Sequence, residues 1–454
     1  MKQYDAIIIG FGKGGKTLAG TLAGKGKKVA LIERSDKMYG GTCINVGCIP
    51  SKSFVTSSGV SSLSEGNFDE KSRRYKEAVE KKTKLVDALR NKNYHKIADL
   101  EMAEVYTGTA SFVDQHHVKV NTGNEQIELK GEQIFINTGA SPLIPPIEGI
   151  KESRHVYVSE TLLSLETLPE NLVIIGGGYI GMEFASIYTD FGSHVTVIQD
   201  GSVFLPREDR DIADAVFKSL TNRGVRLLLS TKVRSVHDDK DQTAVSVTTP
   251  EKDEILYADA VLVATGRRPE INHLNLEAAG VEVTSRGTIV TDETLQTTAS
   301  NIWAMGDVTG GLQFTYISLD DFRIVKSQII GDKKRTVKNR GAVPYSVFLN
   351  PPFSRVGLSE KEALEQGYDI KTVKLPASAI PKANVLGKAT GLLKAIIDVK
   401  TKEILGAHLF CAESHELINL VKLAMDAHLP YTVLRDSIYT HPTMSEALND
   451  LFNI

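Results

Sequence analysis

The sequence predicts an α/β fold, and three observations carry that expectation. The run Tyr4-Asp-Ala-Ile-Ile-Ile9 leads into Gly10-Phe-Gly12-Lys-Gly-Gly15 and then Lys16-Thr-Leu-Ala at helical spacing, which reads as strand, glycine-rich turn and helix. The same order returns at Leu172-Val-Ile-Ile175, Gly176-Gly-Gly178-Tyr-Ile-Gly181 and Met182-Glu-Phe-Ala. In each copy the next strand ends in a polar residue at the same interval from the first glycine, Glu33 after Gly10 and Gln199 after Gly176. About 20 residues on is where such a unit reads a ribose hydroxyl, so two Rossmann-like dinucleotide-binding units are expected in one chain.

The remaining elements follow in order. Residues 69–98 are charged, with Val79, Val86 and Leu89 interspersed, and read as a long solvated helix without chemistry. After Thr138-Gly139-Ala140, the turn Pro142-Leu-Ile-Pro-Pro146 and Gly149 closes the first unit. The second unit ends after Gly266-Arg-Arg-Pro269, and Ile302-Trp-Ala-Met-Gly306-Asp307 reads as a strand returning to the first. From about Val343 the pattern turns to alternating strands, among them Leu392–Asp398 and Ile404–Phe410, then to amphipathic helices, as in a separate α+β domain. A length of 454 residues agrees with about three domains.

Composition narrows the function classes. The chain carries 53 Lys+Arg against 56 Asp+Glu, a formal charge of −3, with no basic concentration, so nucleic acid is not an expected partner. No stretch approaches about 18 uninterrupted apolar residues, and no membrane span is expected. Asp5 inside the first apolar run, with Gly10 soon after, leaves no room for a secretory leader, so the expected location is cytoplasmic. Three cysteines are too few for a disulfide scaffold.

Two of them stand close together in Gly40-Gly41-Thr42-Cys43-Ile-Asn-Val-Gly-Cys48-Ile-Pro50-Ser-Lys52. Their spacing and flanking glycines allow the thiols to meet as a disulfide, and Pro50 suits the first turn of a helix. Thiols near a helix N-terminus have lowered pKa values, so a thiolate is expected as the working species. Two buried reduced cysteines are the competing reading; a zinc site would need a second ligand pair that the sequence lacks, and no metal centre is expected. Cys411, in the apolar run His408-Leu-Phe-Cys411, reads as a small buried hydrophobe. Near the C-terminus, Thr443 and Glu446 have the spacing of a capping box, which makes Thr440-His441-Pro-Thr443 a helix start preceded by a histidine.

The motif Gly41-Thr-Cys43-Ile-Asn-Val-Gly-Cys48-Ile-Pro-Ser-Lys52, with the two nucleotide units, resembles the pyridine nucleotide-disulfide oxidoreductases, the class of dihydrolipoyl dehydrogenase, glutathione reductase and mercuric reductase. The resemblance runs over essentially the whole chain. It implies an FAD-binding domain at residues 1–149 and 270–340, an NAD(P)-binding domain at 150–269 and a C-terminal dimerisation domain at 341–454. It implies FAD held by Gly10, Gly12 and Gly15 at the pyrophosphate, Glu33 at the ribose and Asp307 near the ribitol, with Gly41, Thr42, Thr138 and Gly139 also in contact. NAD(P)H falls to Gly176, Gly178, Gly181, Gln199 and Gly266. Lys52 is implied beside the flavin and paired with Glu183. By the same resemblance Cys48 faces the flavin, Cys43 meets the substrate, and His441 with Glu446 serves the disulfide of the other subunit, which makes the protein a homodimer with shared sites.

Within the class, Phe11-Gly-Lys-Gly-Gly-Lys-Thr17, Met38-Tyr-Gly-Gly-Thr-Cys43, Gly311-Leu-Gln-Phe-Thr-Tyr-Ile-Ser-Leu-Asp-Asp321 and Leu448-Asn-Asp-Leu-Phe452 resemble a bacterial branch associated with resistance to reactive chlorine species. That branch implies reduction of a small oxidant, hypothiocyanous acid first, for oxidative stress defence. A Cu(II) or Hg(II) reductase, a dihydrolipoyl dehydrogenase and a flavin-bound redox sensor are the alternatives. The segment 313–323 departs from the Ala-His-Lys pattern of dihydrolipoyl dehydrogenases, and Leu448–Ile454 carries no vicinal cysteine pair for mercury. For the nicotinamide cofactor, Gln199 accepts a hydroxyl without repelling a phosphate, and Arg207 and Arg210 are near enough in sequence to approach one, so both NADH and NADPH are expected.

Overall fold

The computed structural model describes residues 1–454, which group into two compact units. The first comprises Met1–Ser53, Ala78–Leu143 and Gly266–Arg340; the second comprises Phe54–Glu77, Ile144–Thr265 and Gly341–Ile454. No helix is long and apolar enough to cross a membrane.

The first unit opens with β1 (Lys2–Ile9), α1 (Lys13–Ala23) and β2 (Val29–Glu33) and continues through α2 (Thr42–Asn45) and the start of α3 (Cys48–Ser62); α3 from Phe54 and α4 (Phe68–Ala98) as far as Glu77 belong to the second unit, and α4 from Ala78 to the first. Then come β3 (Ala103–Thr107), β4 (Thr109–Phe112), β5 (His117–Asn121) and β6 (Gln126–Ile136). The sheet runs β3-β2-β1-β6-β5-β4, and Ile302–Ala304 returns to pair in parallel with β6, as its sequence predicts. Ile8 of β1 faces Leu31 on one side and Phe135 on the other. Strands covered on both faces are apolar without interruption, which is why β1 reads Ala-Ile-Ile-Ile. Ile8 packs with Leu18, Phe135 and Trp303 on one face, while Ile7 and Ile9 pack with Phe112, Val118 and Ile136 on the other.

In the second unit the strands Arg226–Leu228, His194–Ile198, Asn171–Ile175, Ala260–Val263 and Val156–Val158 form a parallel sheet in that order, with an antiparallel meander over Lys232–Asp239, Gln242–Thr248 and Asp253–Ala258. Residues 341–454 add a second, antiparallel sheet in which Ile404–Phe410 lies between Phe353–Gly357 and Leu392–Asp398. The helix Ser414–Asp426 buries Leu417, Ile418 and Val421 in the same core as these strands. Cys411 directly follows the central strand and is fully buried, as a small hydrophobe.

Both glycine-rich turns are built alike. Gly10 has φ +106° and Gly176 φ +116°, and a Cβ would fall 2.3 Å from the Asn137 carbonyl in the first case and 2.4 Å from the Ala264 carbonyl in the second. Only glycine takes that conformation without strain. The following helices, α1 and Tyr179–Phe191, start at Gly12 and Gly178 with no side chain capping their first turn.

The first turn has a further clamp in Asn137, at the end of β6. Its Oδ1 accepts from the Gly15 amide at 2.8 Å, and its Nδ2 donates to the Met305 carbonyl at 2.7 Å and to Ser318 Oγ at 3.2 Å. One buried side chain thereby ties α1 to the segment entering Gly306-Asp307 and to the Thr315–Ile330 helix. Asn137→Ala leaves a buried donor and a buried acceptor unpaired, at about 1–3 kcal/mol each. The expected outcome is a loss of about 2–6 kcal/mol in equilibrium denaturation together with reduced flavin content; an unchanged denaturation midpoint would show that the clamp is dispensable.

Candidate active site

The cysteine loop is positioned by the four-residue α2 and by the start of α3, the helix that Pro50 leads the sequence to expect. Cys43 is the second residue of α2, behind Thr42 and an N-cap at Gly41 with φ +80°, and Cys48 is the first residue of α3. Asn45 braces the loop: its Nδ2 donates to the Tyr39 carbonyl at 3.0 Å and the Gly41 carbonyl at 2.9 Å, while its Oδ1 accepts from Arg90 Nε at 2.8 Å.

The two thiols meet, but as free cysteines joined by a hydrogen bond and not as the disulfide their spacing allows, with Cys43 partly buried and Cys48 exposed. The expectation of a lowered thiol is corrected for Cys43. Its hydrogen bond to Cys48 and its burial push its pKa far above the ordinary thiol range. A thiol that donates to its neighbour keeps its proton, and the protons of such a pair leave in two steps that belong to both sulfurs.

Two side chains oppose that rise. The Thr315 hydroxyl lies 3.4 Å from Cys48 Sγ and also bonds to Cys43. The Lys16 ammonium acts on Cys43 by its charge. Lys16 is buried, donating to Asn93 Oδ1 at 2.6 Å and to the Gly40 carbonyl at 3.2 Å, and burial lowers its pKa to about 8. Tyr316, stacked on Phe314, has its phenol raised by burial and then by the Cys48 charge. Sequence reasoning assigned no chemistry to Asn137, Lys16, Thr315 or Tyr316. Lys16 and Thr315 lie inside segments singled out only for their likeness to a family branch.

The residues expected to hold FAD fit such a group. Glu33 Oε2 accepts from the Phe11 amide at 3.0 Å, so the carboxylate stands over the glycine turn. Burial pushes the Glu33 carboxyl up, opposed by that amide. Thr138 Oγ1 is buried without a hydrogen-bond partner, and a Cβ on Gly139 would meet no atom within 4 Å, so a polar ligand group has both a partner and room there. Gly306 donates its amide to Asp321 Oδ2 at 2.7 Å, which fixes the turn carrying Asp307. The Asp307 carboxyl is raised by its burial.

The residues expected to hold NAD(P)H also fit. A Cβ on Gly178 or Gly266 would point into open space, while one on Gly181 would fall 2.1 Å from the Gly176 carbonyl, so this glycine lets the helix pack against the turn. Gln199 takes the position of Glu33: its Oε1 would lie 2.2 Å from a Cβ on Gly177, and its Nε2 donates to the Val203 carbonyl at 2.8 Å. Arg210 does not serve a phosphate as its sequence position allowed. Its guanidinium donates to the Phe204, Leu205 and Glu208 carbonyls at 2.8, 2.6 and 2.8 Å and so closes its own loop.

Lys52 lies on α3 one turn after Cys48, in the first unit, whereas Glu183, His441 and Glu446 belong to the second. Glu183 Oε1 accepts from the Phe348 amide at 2.9 Å. His441 Nδ1 lies 2.7 Å from Glu446 Oε2, which orients an exposed imidazole. Thr443 and Glu446 do exchange the reciprocal bonds of a capping box, Thr443 N to Glu446 Oε1 and Glu446 N to Thr443 Oγ1, but the helix begins later, at Ala447. The box therefore shapes the loop that presents His441 rather than starting a helix.

Residues 4–321 match the family model of pyridine nucleotide-disulphide oxidoreductases, and residues 343–452 match the dimerisation domain of the same proteins, which supports a homodimer. A probable pyridine nucleotide-disulfide oxidoreductase RclA of Escherichia coli is 51% identical over 454 residues, covering 100% of both chains. A mercuric reductase of Bacillus cereus is 37% identical over 452 residues, 98% of this chain and 70% of that one. Among solved structures, the Cu(II) complex of the HOCl-induced flavoprotein disulfide reductase RclA from Escherichia coli has a TM-score of 0.94 at 51% identity, covering 100% of this chain and 99% of the other. The family uses FAD and NAD(P)H. With both segments matched in order, a thiol pair in contact and two glycine turns shaped for nucleotides, the chain belongs to the pyridine nucleotide-disulfide oxidoreductases as a flavoprotein disulfide reductase.

Proposed function

We propose that this protein reduces hypothiocyanous acid with electrons from NAD(P)H in the cytoplasm, as a defence against chlorine-derived oxidants. The observation that carries the reading is the contact between the Cys43 thiol and Cys48, which supplies a dithiol able to give up two electrons. The HOCl induction stated for the Escherichia coli relative supports the substrate class. In this reading residues 1–149 and 270–340 bind FAD, 150–269 bind NAD(P)H, and 341–454 dimerise. Bound FAD, held by the Gly10 turn, Glu33 and Asp307, supplies the relay that carries two electrons from NAD(P)H to the disulfide. Lys52 would act on that relay by its charge, with Glu183 as the proposed counter-charge.

The chemistry at sulfur follows from the proton on Cys43. A thiol held up by its bond to Cys48 and by burial needs a base, and in this reading the imidazole that Glu446 orients is that base, so His441 of the partner subunit takes the proton. The Cys43 thiolate attacks the sulfur of hypothiocyanous acid; the S–O bond breaks, and hydroxide leaves as water with the proton from the imidazolium. Cys48 then attacks the Cys43 sulfenyl thiocyanate, the bond to the SCN group breaks, and thiocyanate departs with its electron pair as the disulfide closes. A second reading, Cu(II) reduction at the same thiols, is favoured by the Cu(II) complex of the relative.

The deciding experiment follows NAD(P)H consumption anaerobically with hypothiocyanous acid, Cu(II), Hg(II), lipoamide and glutathione disulfide in turn. Steady consumption with hypothiocyanous acid, abolished by Cys43→Ser, is the expected result; consumption with Cu(II) alone would replace the reading by the second, and a single turnover with every oxidant would leave a sensor. His441→Ala is expected to lower kcat by about 10²–10⁴, the usual worth of an acid–base group, with flavin content unchanged. Mixed dimers of His441→Ala and Cys43→Ser chains should regain about half of one enzyme's activity, because one of their two sites is then intact; dimers that regain none argue against a shared site.

The nicotinamide pocket gives a separate test. Gln199→Glu is expected to shift the NADH/NADPH ratio of kcat/KM toward NADH by about 10-fold, the size of one charge repulsion of about 1.4 kcal/mol in a partly solvated site. An unchanged ratio would mean that residue 199 does not read the ribose.

A further inference from the structure

We propose that the Thr315 hydroxyl is a catalytic hydrogen-bond donor to the Cys43–Cys48 pair, holding the negative charge that reduction leaves on sulfur. The inference rests on reading that pair as the redox centre and adds to it a group from a segment some 270 residues further along the chain. Thr315 Oγ1 lies 3.4 Å from Cys48 Sγ and touches Cys43 as well, so one hydroxyl serves both sulfurs. Its place is fixed rather than adaptable. Thr315 is the first residue of a 16-residue helix, and Ser318 in the same turn accepts from the Gly14 amide at 3.1 Å and from Asn137 Nδ2. The hydroxyl is thereby held to the frame that carries the glycine turn, and it need not be ordered when charge appears.

Reduction of the disulfide takes up two electrons, breaks the S–S bond and, with one proton, leaves one thiol and one thiolate. Thr315 is neither oxidised nor deprotonated in this step; its O–H points to the charged sulfur, and closing the disulfide removes the charge again. The other groups facing the sulfurs act differently. Lys16, bonded to the Gly40 carbonyl and the Asn93 side chain, acts on Cys43 by its charge, and the Tyr316 phenol is raised by burial. A hydrogen bond to an ionised group is worth more than one between neutral groups, so loss of this one should show in equilibria as well as in rates.

The test uses the FAD-loaded enzyme and reads thiols, not turnover. The enzyme is equilibrated in dithiothreitol redox buffers, trapped with iodoacetamide and weighed by mass spectrometry, for wild type, Thr315→Val and Thr315→Ser. Valine keeps the shape and removes the O–H. The expected result is a shift of about tenfold toward the disulfide in Thr315→Val, which for a two-electron couple is about 30 mV. The pH profile of iodoacetamide alkylation of the reduced pair should also move up by about one unit, and Thr315→Ser should restore both readings. Wild-type behaviour of Thr315→Val, or equal shifts in the valine and serine variants, overturns the proposal, because the hydroxyl would then have no part in holding the charge. If the wild-type pair does not interconvert between dithiol and disulfide at any buffer ratio, the redox-centre reading itself falls, and this inference with it.

Discussion

The Asn137 side chain is the constraint from which the working end of the first unit is built. A glycine turn lets the backbone come within reach of a ligand, but it leaves the first helical amides without partners and does not by itself fix the turn to anything else. Asn137 does both jobs with one amide group: it satisfies Gly15 and grips Met305 and Ser318. This also explains the second glycine of the motif, since a Cβ on Gly12 would fall 2.5 Å from Asn137 Oδ1. At this turn Gly12 makes room for a protein side chain. The same grip extends to both ends of the chemistry, because Met305 leads into the turn of Asp307 and Ser318 belongs to the turn of Thr315.

Charge at the dithiol is a balance of opposed effects. Burial and the neighbouring sulfur hold the Cys43 proton on, while Lys16 and Thr315 favour its release. The first pair of causes prevails, and the Cys43 thiol is raised above the ordinary thiol range. The Lys16 ammonium is itself disfavoured by burial, its pKa lowered to about 8, and the Asn93 and Gly40 oxygens hold it in place. A buried cation of this kind is costly unless it is matched by the charge it serves, which is a reason to find it beneath sulfurs that become anionic.

The parts of this architecture legible in the sequence are those written locally. Strand, turn and helix at Gly10 and Gly176, the long charged helix, the returning strand Ile302–Ala304 and the cysteine loop each depend on residues within a few positions of one another, so periodicity and glycine spacing reveal them. Cys411 was legible for the same reason, as a small residue closing an apolar strand. Asn137, Lys16 and Thr315 were not, because what makes them matter is a partner far away in the chain: Met305 for Asn137, Asn93 for Lys16, Cys48 for Thr315. The raised Cys43 pKa escaped for a related reason. Proximity to a helix start is visible in sequence, whereas burial and a thiol-to-sulfur bond are not, and here they outweigh it. Arg210 shows the converse, a cation whose position invites a phosphate but whose donors are taken up by the backbone of its own loop.

The two glycine turns share a backbone and differ in the residue that stands over it, Glu33 at the first and Gln199 at the second. The loop after Gln199 cannot readily rearrange. Glu208, fully buried, accepts from the Tyr179 and Tyr345 hydroxyls and faces Arg355 at 3.5 Å, while Asp209 is paired with the buried Lys394 at 2.9 Å. Breaking one partner of a buried pair strands the other charge at about 3–5 kcal/mol, far more than a cofactor preference of about 1–2 kcal/mol can supply. In the same loop Arg210 is bonded to the Phe204, Leu205 and Glu208 carbonyls, so its guanidinium is tied to the backbone of a segment that its acidic residues already anchor.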